Sequence, residues 1–238
     1  MVPQLVRDAA DPSSVRSPPV ENEDLLRHAD LFAGFAPDAF SELVAASERV
    51  AYGRNERIFA AGDPAADLYV VASGLVSISS RAPDGRESMM ALMEDGDLFG
   101  DMGLFDGLGR SAEARALEPS RLVRVPYPAV QACFDRHPQL LWGVVAFLSR
   151  RLRVTDEALA DAMFLDVPAR TAKRLLELAG SQDRFVLPLT QEELASLVGA
   201  SRERVNKAIA SFERLGWLTQ SGRQYFITAR MELERRAR

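Results

Sequence analysis

A glycine-rich turn followed by an arginine and a serine could hold a small phosphorylated ligand. Its glycines lie within eight residues of one another, at Gly100, Gly103 and Gly107. Because glycine has no Cβ, the backbone amides of such a turn can approach a phosphate closely, and Arg110 would neutralise the charge. Ser111 would donate its hydroxyl, whereas Asp101 suits a sugar 2′-hydroxyl, as acidic residues do in dinucleotide sites. Taken alone, a glycine-rich turn is also typical of an ordinary strand connection.

A second group of residues, near the end of the sequence, could read DNA. Thr190 and Glu193 match a capping box that opens one helix. Gly199 then permits a sharp turn, and Ser201 can cap a second helix. The outward face near the start of that second helix carries Arg202, Glu203, Asn206 and Lys207. In a recognition helix such positions meet base edges, where arginine pairs with guanine O6 and N7 and glutamate accepts from cytosine N4.

The residues around this group support helix-turn-helix spacing. A preceding helix is expected at 169–179, and residues from Trp217 to Ile227 predict a hairpin wing around Ser221-Gly222. The alternative is an amphipathic helical hairpin used only for packing. The cap, the turn, the wing and the local positive charge together favour DNA binding. An apolar stripe on the second helix predicts burial of Val205, Ala208, Ile209, Phe212 and Leu215.

The glycine-rich turn is expected to lie within a small antiparallel β-roll or barrel. Glycines recur nine to twelve residues apart, at Gly53, Gly62, Gly74, Gly85 and Gly96. Short β-type runs lie between them, and Pro83-Asp84-Gly85 is a turn sequence because Pro presets φ and Gly accepts a positive φ. Regular turns between short strands are typical of antiparallel sheets. Helical spacing from Glu21 to Glu48 predicts two helices before the roll.

A long helix is predicted from about His137-Pro138 to Leu165. Its seam residues follow alternating steps of four and three, at Leu141, Val145, Leu148, Leu152, Thr155, Leu159 and Ala162. Because this a/d seam lasts three heptads and is flanked by charges, it favours a partner helix over packing within one domain, and it predicts a homodimer. The Thr155 hydroxyl would be costly in such a seam unless something bonds it. Asp166-Val167-Pro168 ends the pattern and predicts an interdomain hinge.

Composition indicates two modules and excludes several kinds of site. The 238-residue chain has a net charge of −5, yet residues 166–238 hold 13 basic and 9 acidic side chains, whereas residues 1–165 hold 16 and 25. An acidic front and a basic end indicate different partners. The single Cys133 excludes an internal disulfide and an iron–sulfur site, and it is expected in a helical core. His28 and His137 lack metal-ligand spacing and make haem sensing an unfavourable alternative.

The sequence predicts a cytoplasmic protein that is not an enzyme. It lacks the His/Asp clusters of a metal phosphodiesterase and shows no activated nucleophile pair. The N-terminus has no apolar segment typical of a secretory signal. The longest apolar run, residues 140–148, is far shorter than the ~20 residues that span a bilayer.

These motifs together carry a family resemblance. From about Leu25 to Arg230 the chain resembles the cyclic-AMP receptor protein branch of the CRP/FNR transcription regulators, of the actinobacterial type. The stretches that carry it are GDLFGDMGLF…GRSA, RRLRVTDEALADAMFLDVP and LTQEELASLVGASRERVNKAI, in the family's order and spacing. With the patterns above, it implies an α+β fold with a disordered tail at 1–20, a cyclic-nucleotide-binding antiparallel β-roll at 21–136, a dimerisation helix at 137–165 and a winged helix-turn-helix at 166–238.

The resemblance also implies roles for individual residues. The implied nucleotide ligands are Gly100 and Asp101 on the ribose side with Met102 beside them, Arg110 and Ser111 on the cyclic phosphate, Thr155 on the adenine amino group and Asp156 in the opposite subunit's site. The implied DNA-binding residues are Arg202, Glu203 and Lys207 at the bases of a GTGA-like half-site, Ser201 and Asn206 beside them, and Thr190 and Arg204 at phosphates.

The implied effector is cAMP, without a metal, and the implied partners are a palindromic operator in double-stranded DNA, a second copy of the chain and RNA polymerase, with no membrane. Two departures from the family pattern keep cGMP, another effector and constitutive DNA binding open as alternatives, and a third, in the DNA-reading helix, replaces a bidentate fork by a point charge. Asp101 stands where glutamate is usual, Asp156 where serine or asparagine is usual, and Lys207 where arginine is common. A carboxylate at Asp156 could accept from the amino group of adenine, but it also complements the N1 and amino donors of guanine. The loop at 181–184 is shorter than in the best-known member, so no activating surface is carried over.

Overall fold

The computed structural model describes residues 22–32, 34–35, 37–82 and 87–238. The predicted tail at 1–20 and the Pro83-Asp84-Gly85 turn lie outside the described residues. The described chain divides into two compact units, the first ending at Val154 and the second beginning at Thr155. The glycine-rich segment belongs to the first unit and the candidate DNA-reading residues belong to the second.

Short helices and antiparallel strands make up the first unit. The helices are α1 (Asn22–His28), α2 (Pro37–Ala46), α3 (Met102–Asp106) and α4 (Tyr127–Arg136), with single 3₁₀ turns at Asp30–Phe32 and Pro138–Leu140. The strands are β1 (Glu48–Tyr52), β2 (Arg57–Phe59), β3 (Asp67–Ser73), β4 (Val76–Arg81), β5 (Glu87–Met93), β6 (Leu98–Phe99), β7 (Glu113–Ala116) and β8 (Ser120–Pro126). The two helices predicted before the roll are therefore present, although Glu48 already begins β1. Gly74 joins β3 to β4 with φ +114°, where an added Cβ would lie 2.3 Å from Ser120 Oγ.

Two four-stranded antiparallel sheets form the predicted roll. Their strand orders are β1-β8-β3-β6 and β2-β7-β4-β5. One core between them contains Tyr69, Val71, Val76, Phe99, Ala114 and Leu122. A second core packs the helices against β3 and β8 and includes Cys133, as expected. Because β6 belongs to one sheet and β7 to the other, the glycine-rich segment between them links the two sheets.

Helix α5 (Leu141–Phe164) has two different faces. Val144 and Phe147 are buried in the helix-side core of the first unit. More than half of the surface of Leu152 and Leu159 is accessible, at 61% and 58%, and apolar side chains exposed at regular spacing typically mark an interaction surface. The predicted homodimer is not tested by one chain, but this stripe supports it. All of the predicted seam residues are exposed: Leu141, Val145, Leu148, Leu152, Thr155, Leu159 and Ala162.

The second unit contains the predicted helices and hairpin, together with a strand and a helix that the sequence pattern does not indicate. Beyond α5 its elements are α6 (Val167–Ala179), β9 (Arg184–Val186), α7 (Gln191–Val198), α8 (Arg202–Arg214), β10 (Leu218–Ser221), β11 (Gln224–Ile227) and α9 (Arg230–Arg236). The hairpin of β10 and β11 pairs Ser221 with Gln224, and β9 joins the other edge of β11. β9 has three residues, and α9 buries Leu233 alone, so neither shows a clear period.

Two expectations about this unit need correction. The apolar stripe predicts a buried Leu215, but Leu215 is 53% exposed, because α8 ends at Arg214 and Leu215 is its C-cap. The helix expected at 169–179 begins earlier, at Val167. Asp166 caps it by accepting a hydrogen bond from the Ala169 amide at 2.9 Å, as its sequence position suggested.

The described ranges contain no helix long and apolar enough to cross a membrane. Within the same ranges, no group of three or more His, Cys, Asp and Glu side chains could hold a metal ion.

The ion pair between Asp166 and Arg236 leads to a pH-dependent stability of the second unit. Both Asp166 oxygens lie 2.6 Å from Arg236 Nη2, and this hydrogen bonding lowers the pKa of Asp166 below its ordinary 3.8. A carboxyl with a lowered folded-state pKa contributes stability above its unfolded pKa and loses that contribution as the pH falls through the folded pKa. Because the pair is partly exposed, Arg236→Gln should lower the free energy of unfolding at neutral pH by about 1 kcal/mol or less.

Urea unfolding measured from neutral pH down to about pH 3 would show this difference shrinking as the carboxyl protonates. Glu234→Gln, on the exposed side of the same helix α9, should leave the stability unchanged and is the control. A difference of equal size at every pH would contradict the assignment to Asp166.

Candidate ligand pocket and nucleic-acid interface

A cavity lies in the first unit beside the glycine-rich segment. The residues that line it are Phe59, Ile78, Phe99, Gly100, Asp101, Met102, Gly103, Arg110, Ser111, Ala112 and Arg151. The five residues of the glycine-rich motif that were predicted to bind ligand therefore share one cavity, with apolar side chains from both sheets around them.

Gly100 and Gly103 each occupy a position where a side chain would not fit. Gly100 has φ +76°, and a Cβ there would lie 2.8 Å from Arg110 Nη1. A Cβ on Gly103 would lie 2.6 Å from the Cβ of Ala65 and 2.7 Å from the carbonyl oxygen of Leu108. Glycine at both positions is thus what allows this segment to pack closely against the arginine and the neighbouring loops.

Backbone and aromatic groups hold Arg110 in place. Its Nη1 donates hydrogen bonds to the Gly100 carbonyl oxygen at 2.9 Å and to the Tyr127 hydroxyl at 3.3 Å. Its guanidinium carbon lies 4.2 Å from the centre of the Phe59 ring. Arg110 is only 8% exposed, and its Nε has no hydrogen-bond partner among the described residues. A buried positive charge with an unused donor favours an anionic ligand.

Tyr127 helps to hold both Arg110 and Gly100 in place. Its hydroxyl donates to the Gly100 carbonyl oxygen while accepting from Arg110. Burial raises the pKa of Tyr127, and the positive charge of Arg110 partly opposes that effect. The phenol therefore remains a neutral donor at physiological pH.

Asp101 has one carboxylate oxygen with a partner and another without a partner among the described residues. The residue is fully buried, and its Oδ1 accepts from Arg151 Nη1 at 2.7 Å. Its Oδ2 has no hydrogen-bond partner within the described part of the chain. Although Asp101 directly precedes α3, its side chain does not cap that helix. Since a buried carboxylate oxygen is costly unless a donor satisfies it, a ligand hydroxyl is a suitable partner.

Ser111 and Met102 meet at the cavity wall. The Ser111 hydroxyl donates to Met102 Sδ, with Oγ and Sδ 3.2 Å apart. A thioether is a weak acceptor, so a phosphate oxygen would compete well for this hydroxyl. Met102 is itself 48% exposed.

Thr155 and Asp156 lie on the exposed side of α5, at the start of the second unit. Thr155 continues the exposed seam, as its heptad position predicts. The contacts of both residues with a nucleotide stay predictions.

The second unit shows the local signals of the helix-turn-helix in full. Thr190 Oγ1 accepts from the Glu193 amide at 3.2 Å, and Glu193 Oε2 accepts from the Thr190 amide at 2.5 Å, so the predicted capping box is present. Gly199 ends α7 with φ +69°. Ser201 caps α8 by accepting from the Arg204 amide at 3.4 Å.

Helix α8 separates a buried face from a polar one. Val205, Ala208, Ile209 and Phe212 are buried, as the apolar stripe predicts. The predicted DNA-reading residues are all exposed: Arg202, Glu203, Arg204, Asn206 and Lys207. Three of these five side chains are positive and one is negative, a balance that suits phosphates and base edges.

Arg170 joins the turn of this motif to the end of the long helix. Its guanidinium donates to the carbonyl oxygens of Leu165 at 2.7 Å, Val198 at 3.0 Å and Gly199 at 3.4 Å. Carbonyls at a helix C-terminus lack partners within the helix, so one arginine satisfies groups at two helix ends. This bonding fixes the position of the turn relative to the last turn of α5.

Two domain families match the chain. The cyclic nucleotide-binding domain family matches residues 49–137, and the Crp-like helix-turn-helix domain family matches residues 169–236. Over 223 residues the chain is 40% identical to the CRP-like cAMP-activated global transcriptional regulator of Mycobacterium tuberculosis. The aligned residues cover 91% of this chain and 100% of that protein. The chain belongs to the CRP family of transcription regulators.

This CRP-family regulator is similar to other bacterial regulators as well. It is 31% identical over 196 residues to the cAMP-activated global transcriptional regulator Vfr of Pseudomonas aeruginosa, covering 78% of this chain and 92% of that protein. Its structure is similar to that of CLP, the c-di-GMP responsive global regulator of Xanthomonas campestris, with a TM-score of 0.70 and 29% identity over 81% of this chain and 99% of that one. The family resemblance and the predicted fold class are confirmed, and the mycobacterial and Pseudomonas relatives are named as transcriptional regulators.

The sequence pattern did not predict two residues that line the pocket of this CRP-family chain, Phe59 and Arg151, or Tyr127, which bonds Arg110 beside it. Phe59 comes from β2, Tyr127 from the start of α4 and Arg151 from α5, so chain folding alone brings them to the glycine-rich segment. The basic run beside the helical seam was the one feature of the sequence that drew attention to Arg151, and no sequence pattern indicated a role for Phe59 or Tyr127. Gly107, by contrast, ends α3 with φ +69° and is not among the described residues that line the cavity.

Proposed function

We propose that this CRP-family chain is a homodimeric transcription regulator whose affinity for its operator is raised by a cyclic nucleotide, cAMP in the first place. Two relatives that cover most of the chain are named as cAMP-activated. The chemistry of the cavity supports a nucleotide in particular, and no enzymatic activity forms part of the proposal. The domain boundaries proposed are 21–136, 137–165 and 166–238.

The observation that carries the proposal is that Asp101 and Arg110, buried residues of opposite charge that line one cavity, each have a polar atom without a hydrogen-bond partner among the described residues. Asp101 Oδ2 needs a donor and Arg110 Nε needs an acceptor. A ribose cyclic phosphate offers both, since its 2′-hydroxyl donates and its phosphate oxygens accept. The aromatic and aliphatic walls, which include Phe99 and Ile78, suit the sugar and base.

Each predicted ligand residue then has a role. Gly100 and Asp101 would bind the ribose, with Met102 as a wall beside them, and Arg110 and Ser111 would bind the cyclic phosphate. Thr155 would bond the adenine amino group, and Asp156 would reach the nucleotide bound by the partner subunit. Arg151 would orient the Asp101 carboxylate, because it already holds Oδ1.

A homodimer would give the regulator two DNA-reading helices. The exposed apolar stripe of α5 supports pairing with the same stripe of a second copy. Dimeric helix-turn-helix proteins place their recognition helices about 34 Å apart, to match successive major grooves of a palindromic site. Acting on DNA, such a regulator would work in the cytoplasm together with RNA polymerase.

Within each half-site, the exposed start of α8 would read the bases. Arg202, Glu203 and Lys207 would select a GTGA-like sequence, with Ser201 and Asn206 beside them. Thr190 and Arg204 would hold phosphates and set the register. A nucleotide would raise DNA affinity by binding the DNA-competent arrangement of the dimer more tightly than the other arrangement.

The test of this function is a titration of operator DNA with the full chain, with and without cAMP, followed by fluorescence anisotropy. We expect cAMP to raise DNA affinity by about tenfold or more, within the usual range of allosteric coupling. cGMP and c-di-GMP belong in the same titration, because Asp101 and Asp156 depart from the family pattern and one structural relative answers to c-di-GMP. Equal DNA affinity in the presence and absence of all three nucleotides would contradict nucleotide control and favour constitutive binding.

Arg202→Ala should relax sequence selection at one base pair of each half-site. An arginine that pairs with guanine O6 and N7 contributes ~1–3 kcal/mol of discrimination at its own position. Arg204→Ala, two residues further along α8, is the matched comparison. Because Arg204 is a predicted phosphate contact, this variant should weaken binding to all sequences alike and lower the salt dependence of the binding constant by ~1 in its log–log slope. Competition among operators that differ at single positions measures both effects. A uniform loss for Arg202→Ala would show that Arg202 contacts the backbone.

A further inference from the structure

Met102, at the wall of the pocket, is partly exposed and contacts the hydroxyl of Ser111, a predicted ligand residue. Met102 lines the cavity, has 48% of its surface accessible and lies between Asp101 and the rest of α3. Its sulfur accepts the hydrogen bond of Ser111, with Oγ and Sδ 3.2 Å apart. We propose that Met102 is a redox-sensitive modification site, at which a hydroperoxide converts the thioether to a sulfoxide and thereby weakens binding of the phosphorylated ligand. The inference rests on the proposed function of this pocket.

The chemistry is a two-electron oxidation of sulfur. A lone pair of Met102 Sδ attacks one oxygen of hydrogen peroxide, and the S–O bond forms as the O–O bond breaks. The departing hydroxide then takes the proton of the sulfur-bound hydroxyl, which leaves the sulfoxide and one water molecule. The sulfur is oxidised and the peroxide is reduced. Because nearly half of the Met102 surface is accessible, an oxidant can reach this side chain, and the oxidation is reversible because methionine sulfoxide reductases restore the thioether.

The sulfoxide would change the site at the group that matters for a phosphate. A thioether is a weak acceptor, so in the reduced protein the Ser111 hydroxyl is easily released to a phosphate oxygen. A sulfoxide oxygen is a strong, polar acceptor on the same side chain and would keep that hydroxyl occupied. The partially negative sulfoxide oxygen would also lie beside the cyclic phosphate, and a polar group would replace part of the apolar wall. Both effects lower affinity, whereas the contacts of Arg110 with Gly100 and Phe59 do not involve Met102 and stay unchanged.

The experiment uses the purified full chain, treated with hydrogen peroxide, with oxidation at each methionine read by peptide mass spectrometry. Binding of cAMP, measured by calorimetry before and after treatment, should weaken by about tenfold or more, the loss expected when one hydrogen bond to a charged group is withdrawn. Treatment with methionine sulfoxide reductases should restore it. Met102→Gln, whose amide oxygen imitates the sulfoxide, should bind weakly without any peroxide.

Matched variants separate Met102 from the other exposed methionines. Whatever its starting affinity, Met102→Leu should show the same affinity before and after peroxide, because leucine fills a similar volume without sulfur. Met90→Leu removes a methionine that is 65% exposed on β5, and it should lose affinity on oxidation as the unaltered chain does. Unchanged cAMP affinity after full oxidation of Met102 would overturn this inference. So would a loss of cAMP affinity in peroxide-treated Met102→Leu as large as in the unaltered chain. Either result would leave the proposed function standing. No cAMP binding by the reduced chain would overturn the proposed function and this inference with it.

Discussion

Arg110→Ala should lower the affinity for cAMP by about thirtyfold to several thousandfold, the range for removing one partner of a buried charged hydrogen-bonded pair, ~2–5 kcal/mol. The reason lies in how the arginine is held. Its charge is buried beside the ring of Phe59, its Nε has no hydrogen-bond partner among the described residues, and Arg110 lines the cavity in which the phosphate would sit. The stimulation of DNA binding by cAMP should disappear in the same variant, while binding to DNA without nucleotide should persist.

The controls for this prediction separate ligand binding from folding. Arg110 also donates to the Gly100 carbonyl oxygen, so the unfolding midpoint of each variant needs to be measured alongside calorimetry. Arg115→Ala removes an arginine from β7 that bonds Glu113 and does not line the cavity, and it should leave cAMP affinity unchanged. Arg110→Lys keeps the charge without the planar fork and should fall between the two. A folded Arg110→Ala variant that binds cAMP normally would show that the pocket is assigned wrongly.

Leu152→Glu should convert the proposed dimer to monomers and lower operator affinity by about a hundredfold or more. Leu152 is at the middle of the exposed seam of α5 and is 61% exposed in the single chain, so a charge there does little to the folding of one chain. In a paired seam, however, it would bury two carboxylates against apolar side chains at a high free-energy cost. Losing the dimer turns linked binding to two half-sites into two independent weak events, which explains the size of the loss.

Sedimentation analysis gives the oligomeric state, and anisotropy with a palindromic operator gives the affinity. Leu108→Glu places the same charge on a leucine that is 68% exposed outside α5, and it should remain dimeric. If Leu152→Glu still sediments as a dimer, the α5 seam is not the interface.

Signals carried by neighbouring residues in the chain were readable without the structure. Thr190 and Glu193 are three residues apart, and a capping box depends only on that spacing and on the side-chain types, so it appears as predicted. The same holds for the positive φ of Gly199 and for the buried stripe from Val205 to Phe212. The prediction that Leu215 is buried was wrong, because the apolar stripe alone does not show where the helix ends.

Residues that act across long sequence separations were not readable. The guanidinium of Arg110 packs on Phe59, and the carboxylate of Asp101 bonds Arg151, fifty positions away. β9 shows the same limit, since three residues carry no alternation and its place beside β11 follows from pairing. Such contacts depend on which strands and helices the chain brings together, and one sequence shows no period or spacing for them.

Residue types and short spacings along the chain were thus enough to predict the groups that could bind a phosphate and a base pair, the helix caps and turns that present them, and the family that unites them. Which oxygen of Asp101 and which nitrogen of Arg110 lack partners among the described residues is visible only in the folded chain, because that depends on which distant groups fold against them. The folded chain also shows that the predicted seam of α5 is exposed, since burial is a property of the packed fold rather than of the heptad pattern.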